Sequence, residues 1–382
     1  MKKIRLLIVD DSALMRKLLS QLFAEDGGFE VAVARDGNEA LAMLAAFAPD
    51  VVTMDIHMPE MDGLACLDRI MVQRPCPVVM VSALTQEGAD ETLEALSLGA
   101  VDFVAKPEGP ISLELDRIAD PLVEKVRGAA SARLPRVMRL TERVRARAGM
   151  GRAGTESRIA RRAAVTAPRA QGAKAQGPKA QGIAAVVVGS STGGPPALDA
   201  LLQPLPADFP WPIVIAQHMP ASFTGPLARR LDRQCAIAVE EVTGAVPLRP
   251  GCVYLGRGDA DVILSRRRGE PVVLAAPARP ELHWHPSTDR LVDSACEVLG
   301  ARALVGVLLT GMGNDGAQAM ARMRREGGRT IAQDAESSVV WGMPGALVAQ
   351  GGADLVLPVD RIAGQLLDWA GVEPRGTTEE EA

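Results

Sequence analysis

Short apolar runs alternate with helix-period segments over two stretches of this chain, and a polar, arginine-rich stretch separates them. In the first stretch the β-branched runs predict strands at 4–9, 30–34, 51–54, 78–81 and 101–104. The periodic segments between them predict helices starting near Ser12, Gly37, Gly63, Gln86 and Ser112. Strand and helix in strict alternation build a parallel sheet covered on both faces, a doubly wound α/β domain. The second stretch repeats the rhythm, with strands predicted at 184–188, 213–216, 304–309, 330–332 and 354–357. Between Val239 and Leu274 short strands are broken by Gly and Pro, which predicts a small antiparallel patch at the sheet edge. The expected layout is an α/β domain over 1–125, a linker over 126–182, a second α/β domain over 183–372 and an acidic, disordered tail over 373–382.

The linker has its own composition. Arginine is dense from Arg133 to Arg169, and Ala-Gln-Gly recurs at 170–172, 175–177 and 180–182. Such a low-complexity basic segment has no apolar pattern with which to build a core. It suits a solvated spacer or a tether to nucleic acid or anionic lipid. No ordered base-reading element accompanies it, which favours the spacer.

Composition narrows the function classes. Aromatics make up 3% of the 382 residues, too few for base-stacking or sugar platforms. A net charge of −5 carries no global signal for nucleic acid or membrane, so neither nucleic-acid binding nor membrane insertion is expected. No apolar run reaches the roughly 18–20 residues of a membrane span. Asp10 interrupts the N-terminal apolar run too early for a signal peptide. The five cysteines (Cys66, Cys76, Cys235, Cys252 and Cys296) are scattered without metal-type spacing, which suits reduced thiols in a cytoplasmic protein.

One constellation sits at strand ends in the first domain. Asp10 and Asp11 follow the first strand and Asp55 ends the third. Carboxyl ends of neighbouring strands converge on one crevice in a doubly wound sheet. Carboxylates gathered there repel one another unless a cation joins them, and hard oxygen donors suit Mg²⁺. Ser82 ends the fourth strand and Lys106 follows the fifth, adding a hydroxyl and an ammonium to the same rim. Solvated strand ends alone would account for one such residue, not for five. The ordered set Val9-Asp10-Asp11-Ser12, Asp55-Ile56-His57-Met58-Pro59-Glu60-Met61-Asp62-Gly63, Ser82-Ala83 and Phe103-Val104-Ala105-Lys106-Pro107 resembles response-regulator receiver domains, which are flavodoxin-like. That resemblance implies phosphorylation of Asp55 by a histidine kinase. It implies Mg²⁺ held by Asp10, Asp11, Asp55 and the backbone carbonyl of His57. It also implies Lys106 on the phosphoryl group, and Ser82 moving toward it as Phe103 changes rotamer. The His57 side chain reads as an exposed loop residue.

The second domain opens on Ala184-Ala185-Val186-Val187-Val188-Gly189-Ser190-Ser191-Thr192-Gly193-Gly194-Pro195-Pro196, a buried strand, a tight turn and a helix start. A hydroxyl at such a turn faces backbone N–H groups and the positive end of a helix dipole. Phosphate binding and nucleophilic catalysis both fit. The turn lacks the Lys of a P-loop and the third glycine of a dinucleotide fingerprint. A nucleophilic serine needs a base. His218 follows the 213–216 strand, and Asp315 follows the 304–309 strand within Thr310-Gly311-Met312-Gly313-Asn314-Asp315-Gly316. Ser191, His218 and Asp315 therefore stand at three strand ends, and the glycines beside Met312 let backbone N–H groups approach an oxyanion. A structural histidine and an N-capping aspartate remain the plain alternatives. His283 and His285 flank Trp284 at a spacing too thin for a metal site, and read as surface or edge-strand residues, or as lining of the cleft.

Gly189-Ser190-Ser191-Thr192-Gly193-Gly194, Gln217-His218-Met219-Pro220, His285-Pro286-Ser287-Thr288-Asp289 and Leu308-Leu309-Thr310-Gly311-Met312-Gly313-Asn314-Asp315-Gly316 closely resemble the catalytic domain of chemotaxis protein-glutamate methylesterases. Their fold is Rossmann-like and three-layered. By matching positions the resemblance implies Ser191 as nucleophile, His218 as base, Asp315 as its orienter and the Met312 N–H in the oxyanion hole, with no cofactor for the ester reaction. Ser190 stands where the family often has alanine, which leaves two adjacent hydroxyls. The implied substrates are methyl-esterified glutamates on the cytoplasmic helices of chemoreceptors, with glutamine deamidation by the same acyl chemistry. The implied setting is cytoplasmic, recruited to membrane receptor arrays, with the unphosphorylated receiver covering the groove. Two rival classes stand beside this one: a phosphorylation-dependent binding module with an inert second domain, and a receiver-controlled nucleic-acid binder. The full Ser/His/Asp set speaks against the first, and the lack of a helix-turn-helix after the receiver against the second.

Overall fold

Each predicted apolar run of the first domain becomes a strand, and all but the edge strand at 29–34 are mostly or fully buried. The computed structural model describes residues 2–82, 85–106, 111–134 and 182–372. Strands β1 (Ile4–Val9), β2 (Phe29–Ala34), β3 (Val51–Asp55), β4 (Val78–Ser82) and β5 (Asp102–Ala105) alternate with helices α1 (Ala13–Asp26), α2 (Gly37–Phe47), α3 (Gly63–Gln73), α4 (Gln86–Leu98) and α5 (Ile111–Ala130). The sheet is all parallel in the order β2-β1-β3-β4-β5. The strand order reverses between β1 and β3, and a doubly wound sheet opens its crevice there. Helix starts are set by local chemistry: Ser12, Asp36, Asp62 and Thr85 each cap with a side-chain oxygen on a backbone N–H.

The expected receiver domain ends at 125, yet α5 continues to Ala130. Leu122, Val123, Val126 and Ala129 recur at helical spacing and are buried against β1 and β4 residues such as Ile8 and Val79. Arg133, just beyond, donates its N–H to the Val339 carbonyl at 2.9 Å and its guanidinium to the Ala335 carbonyl at 3.0 Å. The start of the expected linker is thus receiver helix, followed by a contact with the second domain. The rest of the basic linker, 135–181, and the acidic tail, 373–382, lie outside the described residues.

The second domain has β6 (Ala185–Ser190), α6 (Gly194–Leu202), β7 (Ile213–Gln217), α7 (Ala221–Gln234), β8 (Ala238–Val242), β9 (Val246–Pro247), β10 (Cys252–Gly256), β11 (Ala260–Arg267), β12 (Glu270–Pro277), α8 (Thr288–Leu299), β13 (Leu304–Leu308), α9 (Ala317–Arg325), β14 (Arg329–Gln333), α10 (Met343–Ala349), β15 (Leu355–Leu357) and α11 (Val359–Ala370). Seven strands form one parallel sheet in the order β15-β14-β13-β6-β7-β10-β8. The antiparallel patch exists but is smaller than expected. Only β11, β12 and β9 form it, while β8 and β10 pair in parallel and extend the main sheet. Val253 and Leu255 are wholly buried, and Val239 nearly so, which gives these strands the apolar load of a main sheet. The chain leaves β6 toward β7 on one side and returns to β13 on the other, so the switch point falls beside β6. Parallel strands in both domains, with helices packed on them, make this a two-domain α/β protein.

Candidate active site

Ser190 pairs in register with Gln217 across β6 and β7, so the next residues, Ser191 and His218, leave two adjacent strand ends side by side. The His218 N–H donates to the Ser190 carbonyl at 3.0 Å, and the Ser191 N–H donates to the Thr310 carbonyl beyond β13 at 3.0 Å. Three strand ends are thereby stitched together at the switch point. Gln217 ties the first two again: its Nε2 donates to the carbonyls of Ser191 at 3.0 Å and His218 at 3.1 Å, and its Oε1 accepts the Ser190 hydroxyl at 2.6 Å. Ser190 is fully buried and its hydroxyl is occupied. The turn after Ser191 needs glycine: Gly193 has φ +74°, in the left-handed region, and caps α6. Gly311 is equally constrained, because a Cβ there would lie 2.7 Å from the Ser191 Cβ.

His218 Nε2 lies 2.8 Å from Asp315 Oδ2, with both side chains buried. Asp315 sits over the N-terminus of α8. It accepts the Ser287 hydroxyl at 3.1 Å and the backbone N–H groups of Thr288 at 2.6 Å and Asp289 at 3.0 Å. Burial alone would raise its pKa. The hydrogen bond and charge of His218, with the two α8 amides, outweigh that and hold the carboxyl below the ordinary carboxylate value. An ionised carboxylate can only accept, so the Nε2–H of His218 is the donor in this bond. Nδ1 is buried and makes no hydrogen bond among the described residues. This reverses the usual use of the two ring nitrogens in a Ser-His-Asp triad. The arrangement orients an imidazole by its Nε2 edge at the strand end adjacent to that of Ser191.

Between His283 and His285, expected at the surface, on an edge strand or in the cleft, the Trp284 indole stacks on the His218 ring, with centroids 5.5 Å apart and planes 7° from parallel. His285 is half-buried and bonds through Nδ1 to Asp261 at 2.9 Å. Asp261 is wholly buried and also accepts the Ser287 N–H at 2.8 Å and Arg290 at 2.6 Å. Burial opposes ionisation of Asp261, but these three donors together hold its pKa low. Asp261 and the Trp284 stack were not legible in the sequence. The signal that lay on the page was Trp284 itself, in a chain with 4 tryptophans.

At the receiver's switch point, ligand oxygens of Asp10, Asp11 and Asp55 lie within 4.8 Å of one another. Lys106 Nζ reaches Asp55 Oδ2 at 2.7 Å and Asp10 Oδ2 at 3.3 Å. Burial and the neighbouring Asp55 charge raise the Asp10 pKa against the pull of Lys106. Burial would lower the Lys106 pKa, but the hydrogen bond and charge of Asp55, together with Asp10, raise it. Three carboxylate donors gathered within 4.8 Å of one another, with one ammonium among them, fit a hard divalent cation. Ser82 ends β4 and donates to the Gly88 carbonyl at 3.1 Å. The His57 side chain is 61% exposed and pairs with Glu91 at 3.1 Å, as a loop residue.

The two sites are not remote. β5 and α5 of the receiver lie against the second domain's strand ends. Asp102 accepts a hydrogen bond from the hydroxyl of Thr192, the residue after Ser191, and an ion pair from Lys125 at 2.9 Å. Phe103 is buried against Phe223 of α7, with ring centroids 4.3 Å apart. On α5, a Cβ at Gly128 would lie 2.3 Å from the Met312 Sδ, so helix and turn are in close contact. Glu124 pairs with His283 at 3.5 Å, an exposed pair that contributes little. α4 packs on α6 and α7, where Arg230 bridges Asp199 at 2.5 Å and the Leu93 carbonyl at 3.3 Å.

Comparison with known proteins matches this geometry to a family. Residues 186–366 match the CheB methylesterase family and residues 6–116 the response regulator receiver domain. A protein-glutamate methylesterase/protein-glutamine glutaminase of Rhodopseudomonas palustris is 54% identical over 97% of this chain and 99% of its own length. One from Rhodospirillum rubrum is 53% identical over 96% of each. The catalytic domain of the Thermotoga maritima CheB methylesterase is 38% identical over 49% of this chain and 98% of that one, with a TM-score of 0.47. The chain belongs to the CheB methylesterase family, with a response regulator receiver domain in front of the methylesterase domain.

Proposed function

We propose that this protein is a phosphorylation-activated protein-glutamate methylesterase of the chemotaxis adaptation system. It hydrolyses γ-methyl esters on the cytoplasmic helices of chemoreceptors, and deamidates receptor glutamines by the same acyl chemistry. The observation that carries the reading is His218, with Nε2 held by an ionised Asp315 and Nδ1 buried without a hydrogen bond among the described residues, at the strand end adjacent to that of Ser191. Ser191 Oγ attacks the ester carbonyl carbon as His218 Nδ1 takes its proton. The Met312 N–H, from the turn beyond β13, donates to the oxyanion; losing one such donor typically costs about 3–4 kcal/mol in the transition state. Asp315 stabilises the imidazolium. That imidazolium returns the proton to the departing methoxide, and methanol leaves. Water, deprotonated by His218, then attacks the acyl-enzyme, and glutamate and Ser191 are released. With a glutamine side chain, ammonia departs in place of methanol.

The receiver supplies the control. Asp55 is the phosphoacceptor, and a histidine kinase is the donor. Asp10, Asp11, Asp55 and the His57 carbonyl would hold Mg²⁺, which neutralises phosphoryl charge. Lys106 bonds the phosphoryl group when it arrives, which withdraws it from its present pairing with Asp55. Ser82 and Phe103 then shift, and the β5–α5 face releases the strand ends that it covers. A gap of a few kcal/mol between closed and open packings suffices. No helix among the described residues is long and apolar enough to cross a membrane.

The test is methanol release from membranes carrying methylated chemoreceptors, with and without a small phosphodonor. Release that rises with phosphodonor, and vanishes in Ser191→Ala, is expected. Phosphodonor-dependent receptor binding without methanol would support an inert binding module instead.

A further inference from the structure

We propose that Trp284 is a positioning residue for His218. Its indole holds the imidazole in the plane that serves Ser191, and steadies the positive charge that the ring acquires during acyl transfer. The proposal deepens the methylesterase reading and rests on it.

Three observations carry it. First, the two rings are nearly parallel, 7° apart with centroids at 5.5 Å, which is the offset stack favoured by aromatic quadrupoles. His218 is held at one edge by Asp315, through Nε2. One hydrogen bond leaves the ring free to rotate about the N–H···O direction. A second support on its face removes that freedom and fixes where the Nδ1 lone pair points. Second, Trp284 is itself held. The following segment is fastened to the wholly buried Asp261 through His285 at 2.9 Å, Ser287 at 2.8 Å and Arg290 at 2.6 Å. His283 meets the indole edge-on, at 4.5 Å and 87°. Third, Ser287 belongs to both anchors, because its N–H donates to Asp261 while its hydroxyl donates to Asp315. The segment that carries Trp284 is therefore built into the support of Asp315 itself.

The chemistry gives the stack a reason. His218 gains a positive charge when it takes the serine proton. His218 is buried with the receiver in place, and its ring is contacted by Asp315 and the indole within the second domain itself. Asp315 balances it at the edge and the indole face balances it from above, where tryptophan is the best of the aromatic side chains. The support is stronger in the transition state than in the ground state, so it acts on kcat more than on KM.

The experiment compares Trp284→Leu and Trp284→Phe in the full-length chain under saturating phosphodonor, so that receiver gating does not enter. Methanol release gives kcat and KM. Trp284→Leu, apolar but without a π face, is expected to lose about five- to thirty-fold in kcat with little change in KM. Trp284→Phe is expected to recover most of that loss. Equal kcat in wild type and Trp284→Leu overturns the proposal, as does a loss confined to KM, which marks a substrate contact. A Phe variant no better than Leu also overturns it, because then packing alone matters. An inactive wild-type chain would instead sink the methylesterase reading, with Ser191→Ala as the blank.

Discussion

Thr192 donates its hydroxyl to Asp102, so the residue beside the candidate nucleophile is bonded to the receiver strand that carries Phe103. Asp102 also receives Lys125 Nζ at 2.9 Å and the Phe103 N–H at 2.7 Å, and it is buried. The contact is therefore charge-assisted, screened from water and one residue from the ring that packs on Phe223. A shift of Phe103 cannot leave it unchanged.

Asp102→Ala should raise methanol release in the absence of phosphodonor. A buried hydrogen bond to a charged group contributes about 1.5–3 kcal/mol, so the gain should be about tenfold or more, up to the stimulated ceiling. The stimulated rate should stay near wild type. An unstimulated rate that does not rise would mean that this bond does not hold the closed form.

Gly128→Phe should act similarly by a steric route. An added Cβ alone would lie 2.3 Å from Met312 Sδ. A methionine end can swing away from a methyl group, but not from an aromatic ring in a packed contact. The expected result is higher unstimulated turnover together with faster proteolysis between the domains. Wild-type basal turnover would show that α5 yields without uncovering the site.

Ser190→Ala should keep methanol release, whereas Ser191→Ala should abolish it. Ser190 is buried at the end of β6 with its hydroxyl on Gln217 Oε1. Its loss leaves that oxygen unpaired, a cost of about 1–3 kcal/mol to stability that a lower Tm would report. If Ser190→Ala is the inactive variant, the nucleophile is one residue earlier.

Asp55→Asn should retain basal methanol release and lose the response to phosphodonor. Acyl-phosphate formation needs a carboxylate oxygen, which the amide lacks. Stimulation that survives the substitution would rule out Asp55 as the phosphoacceptor.

Asp315 gives an expectation for pH. Its folded-state pKa lies below the ordinary 3.8, so the ionised form is favoured by folding. Its contribution to stability is fully present above that ordinary value and is lost as pH falls through the folded value. The difference in urea midpoint between wild type and Asp315→Asn should therefore shrink as pH drops below 3.8. A difference that stays constant through that window would mean that Asp315 gains nothing from His218 and the α8 amides.

The sequence determined most strands of the two parallel sheets to within a residue or two, and with them the strand ends that carry the candidate site residues. β-branched runs alternating with helix-period segments allow few topologies, and a parallel sheet sends each strand's carboxyl end to one rim. That is why Asp10, Asp55, Ser191, His218 and Asp315 could be assigned to two crevices from position alone. The strands β8 and β10 were harder to place: Gly and Pro around them read as edge turns, and burial of Val253 and Leu255 against β7 is a property of the assembled sheet. The end of α5 was masked in the same way, because Val126 and Ala129 precede an arginine-rich run and only their packing shows that they are core.

Other features depended wholly on tertiary structure. Which nitrogen of His218 faces Asp315 depends on a contact between residues 97 positions apart. The pairing of Trp284 with His218, and of Asp102 with Thr192, joins segments whose separation in the chain carries no periodic signal. Local sequence sets the strand, the turn and the helix cap because those energies act between near neighbours. The orientation of an imidazole, and the choice between two adjacent serines, depend on side-chain contacts that exist only after the sheet has assembled.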